Sequence, residues 1–224
     1  MKHMHHRWLV WLALLCLSAC TSAPPAPDWQ MNAHASAQRA VQAWLNGEDR
    51  VADKEWAQAR AEVARTGRAD YAVRLELLRC AAQAAALQFA PCTAFEALRP
   101  DASAADIAYA DYLAGRLDAG LIPLLPETQR AAAVQADQLG TIVAPLSRLV
   151  AAAAALQAGR ATPDTLVWAT DTASAEGWRR PLLAWLRLRQ QRAQEAGEPA
   201  LAEQLGRRIA LVQGGGARVG FGHR

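Results

Sequence analysis

The segment RADYAVRLELLRCAAQAAAL, residues 68–87, carries the clearest structural signal in the chain. Its apolar residues recur at spacings of three and four, which is the period of an α-helix, along two faces. The first face carries Tyr71, Leu75, Leu78, Ala82 and Ala85. The second face carries Val73, Leu77, Cys80, Ala84 and Leu87. Because apolar faces are stabilised by burial, this segment predicts a central helix packed on both sides.

The rest of the chain predicts further helices joined by short turns. Ala and Leu are abundant, Gly and Pro separate the apolar segments, and no alternating strand pattern competes. We expect helices over residues 33–46, 48–65, 68–87, 92–98, 101–117, 127–139, 142–156, 166–175, 178–196 and 200–212. Two prolines exclude a regular helix over residues 120–126. The predicted fold is therefore all-α: an irregular antiparallel helix bundle, or a degenerate α-α superhelix, of about nine to ten helices.

The first twenty residues end in Leu17-Ser18-Ala19-Cys20, after a basic start and an uncharged apolar run. This layout is typical of an export signal, and the apolar run is too short to span a bilayer unaided. Its ending resembles the lipobox of bacterial lipoproteins. The resemblance implies cleavage after Ala19 and lipidation of Cys20 with a diacylglyceryl group and an acyl chain such as palmitate. A transmembrane anchor, or an ordinary signal peptide cut elsewhere, would be the alternatives.

The lipoprotein resemblance also implies a location. Thr21 stands where Asp would signal retention in the inner membrane of many Gram-negative bacteria, so it points to the periplasmic face of the outer membrane. The expected organisation is a signal peptide, a lipidated Cys with a Pro/Ala tether, a single helical domain and a disordered Gly-rich tail. These parts cover residues 1–19, 20–31, 32–213 and 214–224. Trp29, inside the expected tether, could dock on the domain or reach lipid headgroups.

Cys80 and Cys92 are the two cysteines that remain after the expected cleavage and lipidation. An even pair in an oxidising compartment predicts a disulfide. The bond requires the helix to end near Leu87, so that residues 88–91 can double back in an extended conformation. Pro91 helps, because proline disfavours helical conformation at the residue before it. A redox-active pair is the rival interpretation, although the chain has no Cys-x-x-Cys motif.

The sequence leaves open whether the protein is an enzyme and favours a non-enzymatic role. The histidines outside the leader are His34 and His223, and neither lies in a metal-binding or nucleophile motif. Glu76 and Glu96 are the acids that lie beside apolar positions. They would be candidates in an envelope hydrolase acting on peptidoglycan, although no Glu here precedes Ser as in the lytic transglycosylase motif. We predict no metal, no cofactor and no small-molecule ligand.

Positive charge is concentrated at the carboxyl end of the chain. Residues 177–224 carry nine arginines and three glutamates, for a net charge of +6. A possible contact surface consists of Arg179, Arg180, Arg187, Arg189, Arg192, Arg207 and Arg208. It could meet anionic headgroups or an acidic partner, or it could be a solvated helix surface. Nucleic acid is not an expected ligand in the periplasm.

The same region resembles one tetratricopeptide unit, a repeat built from two antiparallel helices. The resemblance is carried by Trp185, Leu186, Gln191, Arg192, Ala193, Ala196, Gly197, Glu198, Ala202, Leu205 and Arg208. The Gly–Tyr pair of the consensus is missing, and no second copy follows at a 34-residue period. Together, anchor, tether and helix pairs suggest a lipid-anchored periplasmic scaffold or adaptor that binds an envelope protein partner.

Overall fold

The structure, a computed structural model, describes residues 26–216. The lipobox with Cys20, the rest of residues 1–25 and the tail from residue 217 lie outside the described residues. Residues 26–216 form ten α-helices, three short 3-10 helices and no strand, which confirms the predicted all-α class. The α-helices, α1 to α10 in chain order, are Asp28–Asn46, Asp49–Ala64, Ala69–Ala85, Thr93–Leu98, Ala104–Leu113, Glu127–Val134, Pro145–Gln157, Pro163–Ala175, Arg179–Glu195 and Pro199–Gly216.

Helix α1 begins earlier than the sequence suggested. Its first residue is Asp28, which we had assigned to the tether, and Pro27 precedes it in an extended conformation. The Trp29 ring then packs edge-on against Tyr71 of α3, with the ring centroids 5.0 Å apart. Residues 28–31 therefore belong to the folded domain, because an acidic first turn favours helix there and the aromatic contact stabilises it. At the other end, α10 continues to Gly216, three residues beyond the expected domain boundary.

The helix predicted over residues 127–139, in contrast, is shorter in the structure. Helix α6 ends at Val134, and 3-10 helices occupy Ala119–Leu124 and Ala136–Thr141. Irregular backbone and helix ends leave carbonyl groups without helical partners, and arginine side chains supply donors to three of them. The guanidinium groups of Arg130, Arg148 and Arg160 donate to the carbonyl oxygens of Leu125, Ile142 and Ala133, respectively.

Helix α3 separates two apolar cores, as its two apolar faces predicted. Leu75, Ala82 and Ala85 pack into the main core, which collects residues from most of the helices. Val73 and Leu77 pack on the other side against Phe95 of α4, which is fully buried. The second face is divided, however, because Cys80, Ala84 and Leu87 turn to the main core. The small core therefore occupies only the first half of the helix.

Helix α7 is buried around its whole circumference in the middle of the fold. Residues 151–155 are five consecutive alanines, each no more than 1% exposed. Small side chains let neighbouring helices approach closely. The end of α7 comes so near the turn after α5 that a Cβ added to Gly115 would lie 2.6 Å from the carbonyl carbon of Gln157. Gly115, with φ of 69°, is the residue that permits this contact.

Two tryptophans of the α9 region close the fold by contacting its first helices. The Trp178 indole N–H donates to Oε1 of Gln42 at 3.0 Å. The Trp185 indole N–H donates to the Ala85 carbonyl oxygen at the end of α3, also at 3.0 Å, and this side chain is fully buried. Contacts between such distant helices distinguish the domain from an open stack in which each repeat touches only its neighbours. Among the described helices, none has the length and apolarity needed to cross a bilayer.

The structure places Cys80 and Cys92 at disulfide-bonding distance, with their Cα atoms 6.0 Å apart. Helix α3 ends as the bond requires, because Leu87 adopts a left-handed conformation with φ of 57°. The Leu87 and Gln88 amides donate back to the Ala84 and Gln83 carbonyl oxygens, the pattern of a Schellman cap. The position of Cys80 on an apolar face of α3 predicted its burial, but the structure shows this residue half-buried.

The disulfide should contribute measurably to stability. We expect Cys80→Ser and Cys92→Ser each to lower the free energy of unfolding by about 2–4 kcal/mol, because the bond restricts the unfolded chain. Denaturant unfolding of the oxidised protein measures the loss. The double variant is the control, since it should be no less stable than either single variant. Two freely alkylatable thiols in the denatured, unreduced protein would contradict the bond.

Candidate interaction surface

The seven arginines singled out from the sequence do not form one surface with one role. Five lie on α9 and two on α10, and these helices pack against each other as an antiparallel pair. Arg192 and Arg207 pair with Glu195 and Glu203 of their own helices at 3.3 and 4.0 Å. Such exposed pairs contribute little to stability, so both arginines remain available to a partner.

Arg180 is a structural residue that connects α9 to α1 and α2. Its Nε donates to the Trp44 carbonyl oxygen at 2.6 Å, and its guanidinium lies 3.9 Å from the centroid of the Trp44 ring. A second nitrogen of the group pairs with Asp49 at the start of α2. With three contacts on the domain itself, Arg180 does not belong to the contact surface predicted from the sequence.

Four arginines of the set make no side-chain hydrogen bond or ion pair within residues 26–216. They are Arg179, Arg187, Arg189 and Arg208. Arg179 and Arg187 are exposed to solvent, whereas Arg189 and Arg208 are half-buried. Only the first two have the environment expected of solvated surface cations. The other two require a separate explanation.

Arg189 occupies a position on α9 where a buried apolar residue would be expected. It lies four residues after Trp185 and four before Ala193, which are both buried. Burial lowers the pKa of its guanidinium, the Asp171 carboxylate raises this pKa, and the nearby Arg208 lowers it. The protein thus holds a partly desolvated cation close to a second cation of the same sign.

A groove of about 440 Å³ opens beside Arg189. Leu156 at the end of α7, Leu166 and Val167 of α8, and Leu201 of α10 supply its apolar lining. Arg189 and Arg192 line it from α9, and Glu198 adds a carboxylate from the turn before α10. The groove therefore combines an apolar floor with a cationic side, which suits a ligand that is both apolar and anionic.

The acids that a hydrolase would need all have cationic neighbours. Glu76 is buried, but the Arg60 guanidinium donates to both of its carboxylate oxygens and Arg79 lies 3.8 Å away. Glu62, the other buried glutamate, pairs with Arg65. Glu96 is exposed, and its hydrogen bonds from Arg99 lower the pKa of the carboxyl group. A buried carboxylate without a partner, which would favour the hydrolase hypothesis, is not found in residues 26–216.

Neither the histidines nor the potential metal ligands form an assembled site in the part of the chain that the structure describes. His34 is exposed on α1, and His223 lies outside the described residues. Within residues 26–216, no three His, Cys, Asp or Glu side chains come together in an arrangement that could hold a metal ion.

Sequence reasoning missed the groove and the special position of Arg189. One signal was available, since residues 185, 189 and 193 share one face of a helix and two of them are apolar. The groove could not be predicted in this way, because its walls come from four helices whose relative placement is set by tertiary packing.

Loss of Arg180 should destabilise the domain. We expect Arg180→Ala to lower the free energy of unfolding by about 1.5–3 kcal/mol, because a charged hydrogen-bond donor is removed from partly buried acceptors. Arg179→Ala, a matched control on the preceding residue, should change it by less than about 0.5 kcal/mol. Thermal and denaturant unfolding measure both variants. Equal effects of the two substitutions would show that the Trp44 and Asp49 contacts contribute little.

No protein-family model matches the chain, and no curated protein or solved structure is significantly similar to it. The fold and the surface of α9 and α10 are therefore the basis for a functional proposal.

Proposed function

We propose that the protein is a lipid-anchored helical adaptor that binds an envelope protein partner at the periplasmic face of the outer membrane. The observation that carries the binding role is the group of arginines on α9 and α10 without partners in residues 26–216. Arginine is enriched at protein interfaces, where its planar group pairs with carboxylates in two-point contacts. The tetratricopeptide resemblance of this helix pair remains a prediction that supports the same role.

The disulfide supports the proposed compartment. Cys80 and Cys92 lie at bonding distance in the structure, and such bonds persist in oxidising environments such as the periplasm. The cytosol keeps most thiols reduced. A disulfide-linked domain behind an export signal is therefore consistent with a protein that functions in the envelope.

The tether supports an arrangement in which the domain stays close to the membrane. Seven residues separate Cys20 from Asp28, where α1 begins. Even fully extended, they would span only roughly 25 Å. A lipid on Cys20 would keep the first helix near the bilayer surface, and the rest of the domain would project toward partners in the periplasm.

The anchor can be tested directly. We expect Cys20→Ser to abolish incorporation of labelled palmitate and to release the protein from membranes, because the thioether needs the cysteine sulfur. Fractionation and labelling of cells that express the full chain measure both effects. Cys80→Ser is the control and should remain labelled and membrane-bound. A labelled, sedimenting Cys20→Ser protein would refute the lipid attachment.

The binding role can be tested by charge reversal on the exposed arginines. In crosslinked membranes, we expect the double variant Arg179→Glu, Arg187→Glu to recover much less of the partner that wild type captures, because like charges now face it. The matched control is Arg50→Glu, Lys54→Glu, which reverses two exposed cations on α2. Quantitative mass spectrometry of the captured proteins measures the difference. Equal recovery by all variants, or no enriched envelope protein with wild type, would contradict the proposal.

A further inference from the structure

Arg189 combines three features that together suggest a binding role. It lies in the buried stripe of α9, it has no hydrogen bond or ion pair within residues 26–216, and it lines the groove formed by α7 to α10. A partly desolvated charge is unfavourable unless something compensates it. Asp171 is near enough to act on Arg189 electrostatically but does not form an ion pair with it.

A second cation near Arg189 argues against the charge of Arg189 being neutralised within the domain itself. Arg208 of α10 lies close enough to Arg189 to lower the pKa of its guanidinium, and Arg192 lines the same groove. Like charges that are held together repel each other, and an anion bound against Arg189 in the groove would offset both the repulsion and the desolvation penalty. The charge pattern therefore points to an anionic group as the missing partner.

The remaining lining of the groove indicates what else the ligand carries. Leu156, Val167 and Leu201 present apolar side chains beside the arginines, and Leu166 forms part of the floor. The groove is open along one side, so a long hydrocarbon chain lying in it would leave much of its surface in water. A peptide fits better, because its apolar side chains can enter while its polar backbone stays hydrated.

We propose that this groove binds a short acidic and apolar segment of the partner protein, with a carboxylate against Arg189 and an apolar side chain between Val167 and Leu201. This inference rests on the proposed adaptor function and specifies the chemistry of the contact segment. The exposed Arg179 and Arg187 would then contribute long-range attraction, and the groove would provide the specific contact.

The test uses the full-length lipoprotein, purified from membranes in detergent, and a random dodecapeptide library displayed on phage. We expect the selected peptides to share an Asp or Glu within three residues of Leu, Ile, Phe or Trp. A labelled copy of the best peptide should bind wild type and lose about tenfold or more in affinity to Arg189→Gln, because the charged hydrogen bonds disappear. Fluorescence anisotropy measures the affinity.

Two controls separate recognition from folding. Arg50→Gln removes the same charge from an exposed position on α2, outside the groove, and should leave the peptide affinity nearly unchanged. Val167→Glu places a carboxylate in the groove and should reduce binding of the acidic peptide at least as strongly as Arg189→Gln. The thermal midpoint of Arg189→Gln should equal or exceed that of wild type, because the substitution removes an uncompensated charge. A lower midpoint would show that Arg189 is needed for folding and would overturn its assignment as a ligand contact.

Other results would overturn the inference in distinguishable ways. Selected peptides without acidic residues, equal losses in Arg50→Gln and Arg189→Gln, or no selected peptide would each exclude the acidic segment. Binding of phosphatidylglycerol vesicles that depends on Arg189, in the absence of peptide binding, would assign the groove to lipid. If crosslinking recovers a partner equally with wild type and Arg189→Gln, the groove is excluded while the adaptor function stands. If no partner is recovered at all, the adaptor function fails first.

Discussion

The burial of α3 on two sides is the constraint on which the rest of the domain depends. Its main-core face packs against α1, α7 and α9, and its other face packs against Phe95 and the short α4. A helix with two apolar faces needs neighbours on both sides. The turn at Leu87 reverses the chain immediately after α3, so that α4 can pack on one of these faces. Cys80 packs on the main core and Cys92 on the small core, so their bond joins the two.

Arginine has three distinct uses in this protein, and only the environment of each side chain distinguishes them. Arg130, Arg148 and Arg160 donate to carbonyl oxygens of irregular backbone or of the last turn of α6, where they replace missing helical hydrogen bonds. Arg180 connects distant helices through Trp44. The arginines of the groove and of the exposed face of α9 have no such internal role, which is why we propose a binding role for them.

Local patterns in the sequence predicted local structure well. The period of residues 68–87 predicted α3, and Pro91 helped to predict the turn that brings Cys92 back to Cys80. The contact surface was predicted only as a cluster of positive charge. Arg180 is separated from this surface by its contacts with Asp49 and Trp44, which lie 131 and 136 residues away in the chain. Periodicity carries no information about contacts over such distances. Docking of Trp29 on the domain was one of two predicted alternatives, but the early start of α1 was not predicted, because the nearby prolines favour an extended tether and the partner Tyr71 lies far along the chain.

The hydrogen bonds of the two α9-region tryptophans have a consequence for the order of folding. Trp178 and Trp185 join partners that lie 136 and 100 residues earlier in the chain. Non-local contacts of this kind form only after a large loss of chain entropy, so they slow the final step of folding. A nascent chain that lacks α9 leaves the main core open toward α1 and α3. Residues 26–178, about four fifths of the described chain, should therefore remain loosely packed until the last two helices have been added.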